Sequence, residues 1–433
     1  MQPDRQGTKG TILITGINYA PEETGNAPYT TGLAEHLHRQ GYDVTVVTGM
    51  PYYPEWSIPE AYRGRLRHQE IVNGVRVMRF RTYVPRRQDA LRRIGFEAGY
   101  FLNGLTPRLP RRPDAIVGIV PSLGGAGLAA ILARRYGVPY GLIFQDLVGA
   151  AATQSGMPGG RAVANATRRL EGLAARGATR IAIISRGFES YLVGLGVHKD
   201  RITHLRNWTH ITAPTLPPAD VRATLGWRDS ETIVLHSGAM GLKQGLEHVI
   251  AAARLASATS PNMRFVLMGD GNQRQMLQAK AADLGNVTFL PPADADMFPN
   301  ILAAADVLLI NERASLRDMA LPSKLTSYLV AGRPIVAAVT PEGWTAREIA
   351  QTGAGVVVPP EDPAALLDAI ATLRADPARA RLLAAAGPVY ARDVLAAPVI
   401  LGRAESFVQN LLGAHAHVAT APSLNLQPES QES

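Results

Sequence analysis

The chain has 433 residues, no cysteine, and a net charge of +8 from 44 Lys and Arg against 36 Asp and Glu. That length exceeds one ordinary core and predicts two domains; the lack of cysteine excludes disulfides and thiolate metal sites and fits a reducing cytoplasm. A mean hydropathy near zero and a 46% hydrophobic fraction describe a soluble globular protein.

Met1 to Gly10 is polar and lacks the apolar centre of a signal peptide. Thr11–Thr15 is the first predicted strand. The turn Gly16-Ile17-Asn18-Tyr19-Ala20-Pro21-Glu22-Glu23-Thr24-Gly25-Asn26 follows it. Pro28 to Gln40 has helical periodicity, with Asn26 as N-cap, Pro28 in the first turn and Gly41 past the end. Further strands are predicted at Val44–Thr48, Val75–Arg81, Ala115–Val120, Tyr140–Phe144 and Ile181–Ser185. The uncharged stretch Ala115 to Ala133 is long enough for a membrane span, but Pro121, Gly124, Gly125 and Gly127 interrupt it. It reads as strand, loop and helix.

Ala213-Pro214-Thr215-Leu216-Pro217-Pro218 is the predicted linker, dividing residues 1–212 from 213–387. The alternation then restarts with Ile233–His236, Arg264–Met268, Val287–Leu290, Val307–Ile310, Ile335–Val339 and Val356–Val358. A second glycine-rich turn, Ser237-Gly238-Ala239-Met240-Gly241-Leu242-Lys243-Gln244-Gly245, follows the first of these strands. Ala364–Ala375 and Pro388–Leu412 read as closing helices, the second spanning 388–413, and residues 414–433 as a disordered tail. The fold class is α/β: two Rossmann-like doubly wound domains facing a central cleft.

Glycine-rich turns between a strand and a helix bind phosphate. Glycine lets backbone N–H groups approach an anion, and the helix N-terminus adds partial positive charge. Two such turns predict two domains facing one diphosphate. Gly25 and Asn26 sit at the helix start in the first turn. Lys243 in the second would meet a diphosphate, or is simply an exposed lysine at a helix start. In Met268-Gly269-Asp270-Gly271 the glycines read as permitting close ligand approach and Asp270 as a helix cap. In Leu321-Pro322-Ser323-Lys324, Ser323 is a candidate N-cap; Lys324 opposes the helix dipole at a cost that a bound anion would offset. Asp146, after Phe144 and Gln145, would orient or deprotonate an acceptor hydroxyl, or cap a loop. His36 and His38 read as surface residues and His236 as a core histidine.

The positive charge is concentrated between Arg63 and Arg112, on both sides of the apolar segment Ile94 to Leu105. Arginines around such a segment suit an anionic membrane surface, with Arg92, Arg93, Phe96, Tyr100 and Phe101 facing it. They equally suit a core helix with solvated arginines at its ends. Nucleic acid is the weaker reading, since no binding motif accompanies the charge.

These residues resemble the family 4 glycosyltransferases of GT-B fold, in particular the colanic-acid-type exopolysaccharide enzymes. The resemblance is carried by Asn18-Tyr19-Ala20-Pro21-Glu22 with Thr24-Gly25 and Tyr29-Thr30, and by Pro51-Tyr52-Tyr53-Pro54-Glu55-Trp56. It continues in Gly241 with Lys243-Gln244-Gly245-Leu246-Glu247, in Gly269-Asp270-Gly271, and in Pro322-Ser323-Lys324-Leu325 with Gly332-Arg333-Pro334. The Pro-Tyr-Tyr-Pro-Glu-Trp run is fairly specific; the glycine motifs alone are not.

The resemblance implies transfer of a sugar, with retention, from a nucleotide-diphosphate donor on the C-terminal domain to an acceptor on the N-terminal domain. No metal or other cofactor is implied, because cationic side chains and helix ends neutralise the leaving diphosphate. Carried over by position, Lys243 and Gly238 contact the diphosphate, Gly25 and Asn26 close over it, and Pro322, Ser323 and Lys324 lie beside the donor sugar. The implied acceptor is a polyprenyl-diphosphate-linked saccharide at the inner face of the plasma membrane. GDP-fucose is a candidate donor and UDP-hexoses remain open.

The chain departs from the family pattern at Ser327 and Met319, where many members have glutamates, and at Ala239, where many have arginine. Arg206, Arg313 or Lys324 would supply the missing charge. A sugar-nucleotide epimerase of related fold would need paired carboxylates and a histidine. A nicotinamide enzyme would need Gly-x-Gly-x-x-Gly after the first strand. A non-catalytic membrane-associated scaffold is the third alternative.

Overall fold

The computed structural model describes residues 7–23, 25–85, 90–147, 160–209, 211–315 and 324–419. The chain separates into two units. The first comprises residues 1–184, 189–205 and 401–433; the second comprises 185–188 and 206–400.

In the first unit the strands are β1 (Thr11–Thr15), β2 (Asp43–Gly49), β3 (Arg67–Val72), β4 (Val75–Phe80), β5 (Ala115–Val120), β6 (Tyr140–Phe144), β7 (Arg180–Ile183) and β8 (Ile202–His204). They form one sheet in the order β3-β4-β2-β1-β5-β6-β7-β8. All pairings are parallel except β3 with β4. The helices are α1 (Ala27–Arg39), α2 (Ala90–Gly104), α3 (Leu123–Tyr136), α4 (Gly160–Gly177) and α5 (Phe188–Gly194). β3 carries no apolar alternation strong enough to predict it: its Arg-His-Gln-Glu run pairs along the edge and leaves Ile71 exposed. The stretch 115–133 is indeed a strand and a helix, β5 and α3. Asn26 occupies the N-cap of α1 without a side-chain capping bond.

The second unit contains β9 (Thr232–Ser237), β10 (Met263–Met268), β11 (Val287–Leu290), β12 (Val307–Asn311), β13 (Ile335–Ala338) and β14 (Gly355–Val358). Its sheet has the order β11-β10-β9-β12-β13-β14 and is wholly parallel. Its helices are α6 (Pro218–Leu225), α7 (Glu247–Thr259), α8 (Arg274–Lys280), α9 (Phe298–Ala304), α10 (Lys324–Ala331), α11 (Trp344–Thr352), α12 (Pro363–Ala375) and α13 (Pro377–Val394).

Strand alternation divides this unit's core in two. Ile233, Leu235, Val266, Met268, Leu308 and Ile310 pack with Ile301, Tyr328, Leu329 and Ile349. Val234, Phe265, Leu267, Val307 and Leu309 pack with Val249, Leu277, Leu366 and Ile370 on the other face. Period-two alternation with both faces apolar is what a helix-covered parallel sheet requires.

The expected single closing helix over 388–413 is two helices. α13 starts at Pro377 and carries Pro388 inside it; the chain breaks at Leu395–Ala396, and α14 (Ala397–Ala419) follows. Residues 377–413 are long and apolar enough to cross a membrane by composition alone. The break divides that run, and Ile400, Ala404, Phe407, Val408 and Leu411 of α14 are buried. Phe407 and Leu411 lie where a side chain on Gly141 would stand. Leu142, the next residue on β6, points to the opposite face beside Ala129 of α3. The last helix thus completes the first unit, on the face away from α3. The tail expected from 414 is helical to Ala419, and 420–433 lie outside the described residues.

Candidate active site

In a doubly wound sheet the ligand crevice forms where strands leave in opposite directions from the centre. In the second unit that point lies between β9 and β12. The two strands pair only at Val307 with Val234 and Leu308 with Leu235. Beyond those pairs the Tyr328 hydroxyl bridges the gap. It accepts from the Ser237 N–H at 2.8 Å and lies 3.3 Å from the Leu309 carbonyl oxygen. Full burial pushes its own ionisation up to about 12, so it stays a neutral bridge.

Lys324, the first residue of α10, points into this opening. Its Nζ lies 3.3 Å from Nε2 and 3.5 Å from Nδ1 of His236. A Cβ built on Gly238 would stand 3.6 Å from Lys324 Cε and 3.7 Å from Nζ, so the glycine turn passes directly over the amine. Among the described residues no carboxylate comes within ion-pair distance of Nζ. Burial brings the Lys324 amine down to about 7, against the attraction of Glu312. Glu312 follows β12, accepts from Thr345 Oγ1 at 3.2 Å, and is itself raised by burial. His236 is fully buried and held well below the usual imidazole range by desolvation and the lysine charge. It is the core histidine expected, but it also lines the site.

The second turn is tied from below. Arg313 donates from Nε to the Leu242 carbonyl at 2.7 Å and pairs with Glu247; Asn311 Nδ2 donates to the carbonyls of Gln244 and Gly245. Lys243 is exposed on this braced turn. Of the three cations that could supply the missing charge, Arg206 is engaged with Glu348 and Gln351 and Arg313 with Glu247. Lys324 alone of the three has no ion-pair partner among the described residues. Ser327 is buried, and Pro322 and Ser323 lie outside the described residues.

Gly269 and Gly271 have a packing reason that stands beside the expected ligand approach. Both have positive φ, and a Cβ on Gly269 would collide with the Gly238 carbonyl oxygen; one on Gly271 would stand 2.5 Å from the Met240 oxygen. The two turns pack backbone to backbone. Met240 N–H donates to Asp270 O, and Gln273 N–H to Met240 O. Asp270 does not cap α8, whose N-cap is Gln273; its Oδ1 accepts from the neighbouring Gly271 N–H.

In the first unit a carboxylate of the first turn ties it to the loop after β2. Glu22 Oε1 accepts from the N–H groups of Tyr52 and Tyr53, each at 2.9 Å, and Oε2 from Asn18 Nδ2 at 3.0 Å. Gly25 has φ +66°, and a Cβ there would touch the Tyr53 ring at 3.4 Å. The N-terminus of α3 is also occupied: Glu97 accepts from Gly124 N–H at 3.0 Å and from Ser122 Oγ at 2.7 Å. Asp146 follows β6 at the carboxyl edge and its Oδ1 accepts from Leu147 N–H, the loop-capping geometry.

Two of the five residues expected to face a membrane, Phe96 and Tyr100, are corrected. Phe96 and Tyr100 are fully buried, with the Tyr100 hydroxyl donating to the Val47 carbonyl at 2.7 Å. They form the inner stripe of α2, beside Tyr52 and Trp56. Arg92 is exposed, Phe101 is half-buried against Gly127, and Arg93 lies over Phe96 and pairs with Glu97. Among the described residues no group of three His, Asp or Glu side chains is arranged as metal ligands.

Two α/β units with mainly parallel sheets, each with a glycine turn after a central strand, have the GT-B architecture. Residues 24–208 match the family described as glycosyl transferase 4-like domain, and 231–376 match glycosyl transferases group 1. The chain is 33% identical over 375 residues to WcaI of Escherichia coli K12, named as a colanic acid biosynthesis glycosyl transferase; the match covers 83% of this chain and 91% of that one. The chain therefore belongs to the family of colanic-acid-type glycosyltransferases. Among solved structures it is similar to sucrose-phosphate synthase from Thermosynechococcus elongatus, with TM-score 0.72, 19% identity, and coverage of 94% of this chain and 100% of that one. It is also similar to Anabaena HepE in complex with UDP-glucose, with TM-score 0.66, 18% identity, and coverage of 93% and 100%.

Proposed function

We propose that this glycosyltransferase moves a sugar from a nucleotide-diphosphate donor, with retention, to a lipid-diphosphate-linked saccharide in exopolysaccharide assembly. The observation that carries the donor site is Lys324, a buried amine without a carboxylate partner beneath the Gly238 turn at the switch point of the second unit. A diphosphate there would supply the missing counter-charge and accept N–H groups from the turn. Lys243, exposed on the braced turn beside it, would screen the outer phosphate.

In the transfer step the bond from the anomeric carbon to the β-phosphate oxygen breaks. The acceptor oxygen bonds to the same face, and its proton passes to the departing phosphate oxygen. Positive charge at the phosphate then does most of the catalysis, and no side-chain nucleophile is needed. Asp146 would orient the acceptor hydroxyl. This reading needs no metal, because the two lysines and the turn N–H groups provide the neutralising charge. The colanic-acid resemblance implies GDP-fucose as one candidate donor; HepE, solved with UDP-glucose, keeps UDP-hexoses as another. A lipid-linked acceptor places the enzyme at the inner membrane surface as a peripheral protein.

The test is a thermal-shift screen against GDP-, UDP-, dTDP- and ADP-sugars, with NAD and NADP as controls. At a hundredfold excess over Kd a ligand adds about 2.7 kcal/mol, or roughly 5–10 °C for a unit of this size. The expected result is a rise with one sugar-nucleotide class that is lost in Lys324→Ala. No rise with any sugar nucleotide, or a rise with NAD alone, overturns the reading. Retention is checked separately, by the anomeric configuration of the product in proton NMR.

A further inference from the structure

β9 reads Thr-Ile-Val-Leu-His-Ser, and every one of its residues is buried. A helix-covered parallel strand takes aliphatic side chains on both faces. Val234, two places before His236 and so on the same face, follows that rule and packs among Val249, Leu277 and Leu309. His236 breaks it while fully buried. A buried imidazole is costly unless its polar atoms are engaged.

The ring is engaged twice. Its polar edge is turned to the backbone, with hydrogen bonds to Ala239 in the glycine turn and to Leu309 on β12. β9 and β12 stop pairing at Leu235 and Leu308, so the imidazole bridges the two strands just where the sheet has split. The second engagement is with Lys324, whose Nζ is almost equally distant from Nε2 and Nδ1, at 3.3 and 3.5 Å. A hydrogen bond to one nitrogen would follow that nitrogen's lone pair and leave the other much farther away. An amine in the ring plane between the two nitrogens would overlap the carbon that joins them. The ammonium therefore stands over the ring face, where the π electrons of a neutral ring attract a cation. Of the other titratable groups nearby, Glu312 after β12 attracts the amine without pairing with it, and the Tyr328 hydroxyl is turned to Ser237 and Leu309.

We propose that His236 is a positioning residue for Lys324: the face of its ring seats the ammonium under the Gly238 turn, aimed at the diphosphate of the donor. This rests on the donor site proposed above and names the group that holds its cation. Burial and the adjoining lysine charge keep the imidazole neutral, so the seat attracts the amine and does not repel it. An aliphatic side chain at this position would fill the same space and offer the amine nothing, leaving it to turn toward Glu312 or to lose its proton.

The experiment is calorimetric titration of the full chain with GDP and with UDP, at about pH 7 and a unit to either side. His236→Leu removes the ring, His236→Asn keeps a hydrogen-bonding group without the face, and His236→Phe keeps the face without the polar edge. The Leu and Asn variants should bind nucleotide about tenfold more weakly, and the pH at which affinity begins to fall should drop by about one unit. His236→Phe should recover affinity to within about threefold of the parent. In a Lys324→Ala background, His236→Leu should cost nothing further, since the two residues act as one unit. A Phe variant as weak as Leu, an Asn variant equal to the parent, or additive losses in the double variant overturns the proposal. The apoprotein gives a readout without nucleotide. Between the folded and unfolded lysine values stability rises with pH, and in urea unfolding, taken as the difference from Lys324→Ala, the onset of that rise should move down in His236→Leu and stay in His236→Phe. An onset that does not move overturns the seat. Equal nucleotide affinity in the parent and Lys324→Ala, or no binding by the parent, instead faults the donor site, and the apoprotein onset then decides the seat alone.

Discussion

The two glycine turns each follow a central strand, yet opposite charges fill the space around them. In the first unit Glu22 and Glu97 consume the free N–H groups of the 52–53 turn and of the α3 N-terminus. In the second, a buried amine lies under the turn and no described carboxylate pairs with it. One turn contributes an acid, Glu22, to the loop after β2; the other passes over a lysine amine. The same backbone motif thus carries a carboxylate in one unit and has a lysine amine beneath it in the other.

The comparison breaks most sharply at Lys324. Lys324→Ala should reduce kcat/KM by about a hundredfold or more, the scale of losing one preorganised charge at a developing phosphate anion. Because the amine is buried without an ion pair, the apoprotein should be no less stable, which urea unfolding checks. If donor binding and turnover survive, the second turn is a brace like the first. Glu22→Ala should do the reverse: it leaves the Tyr52 and Tyr53 N–H groups unpaired and costs roughly 2–4 kcal/mol of stability, while donor-induced thermal shifts persist.

The pH dependence sharpens the contrast. Lys324 titrates at about 7 in the folded chain and near the ordinary lysine value when unfolded. Between those values the unfolded chain binds more protons, so this group's contribution to stability rises with pH. In the proposed donor site the charged amine meets the diphosphate. Donor affinity should therefore fall by up to about tenfold per unit above pH 7, measured by calorimetry in buffers of different ionisation heat, which also reads the proton taken up. The Glu22 carboxyl is raised by burial, so the folded chain holds that proton longer. Its contribution to stability falls as pH rises from the unfolded carboxyl value through the folded one, a change Lys324→Ala should leave intact. Smallest is Asp146→Asn. It should lower kcat about tenfold if the carboxylate orients the acceptor and leave donor affinity unchanged, and an unchanged kcat would reduce Asp146 to the loop cap its hydrogen bond shows.

The strands of both sheets were legible because both of their faces are apolar, as in Ile233 to Leu235 and Val307 to Ile310. The β3 edge strand and the short β8 were not, since pairing at an edge needs no apolar pattern. Gly269 and Gly271 were visible as special positions, but their reason was not: sequence cannot show that the Gly238 and Met240 carbonyls occupy the space of a side chain. Phe96 and Tyr100 looked like a membrane stripe because an apolar stripe reads the same whether it faces lipid or a sheet.

By itself the sequence determined the α/β class, the two-unit order, the two glycine turns and the family, since these rest on local periodicity, turn chemistry and contiguous motifs. Tertiary structure decided what depends on distant residues meeting: that α14 returns to the first unit, and that Arg206 and Arg313 are taken by Glu348 and Glu247. It also brings Lys324 beneath Gly238, 86 positions earlier in the chain, beside His236. The charge of a buried group is set by its neighbours in space, and those neighbours exist only once the sheet has formed.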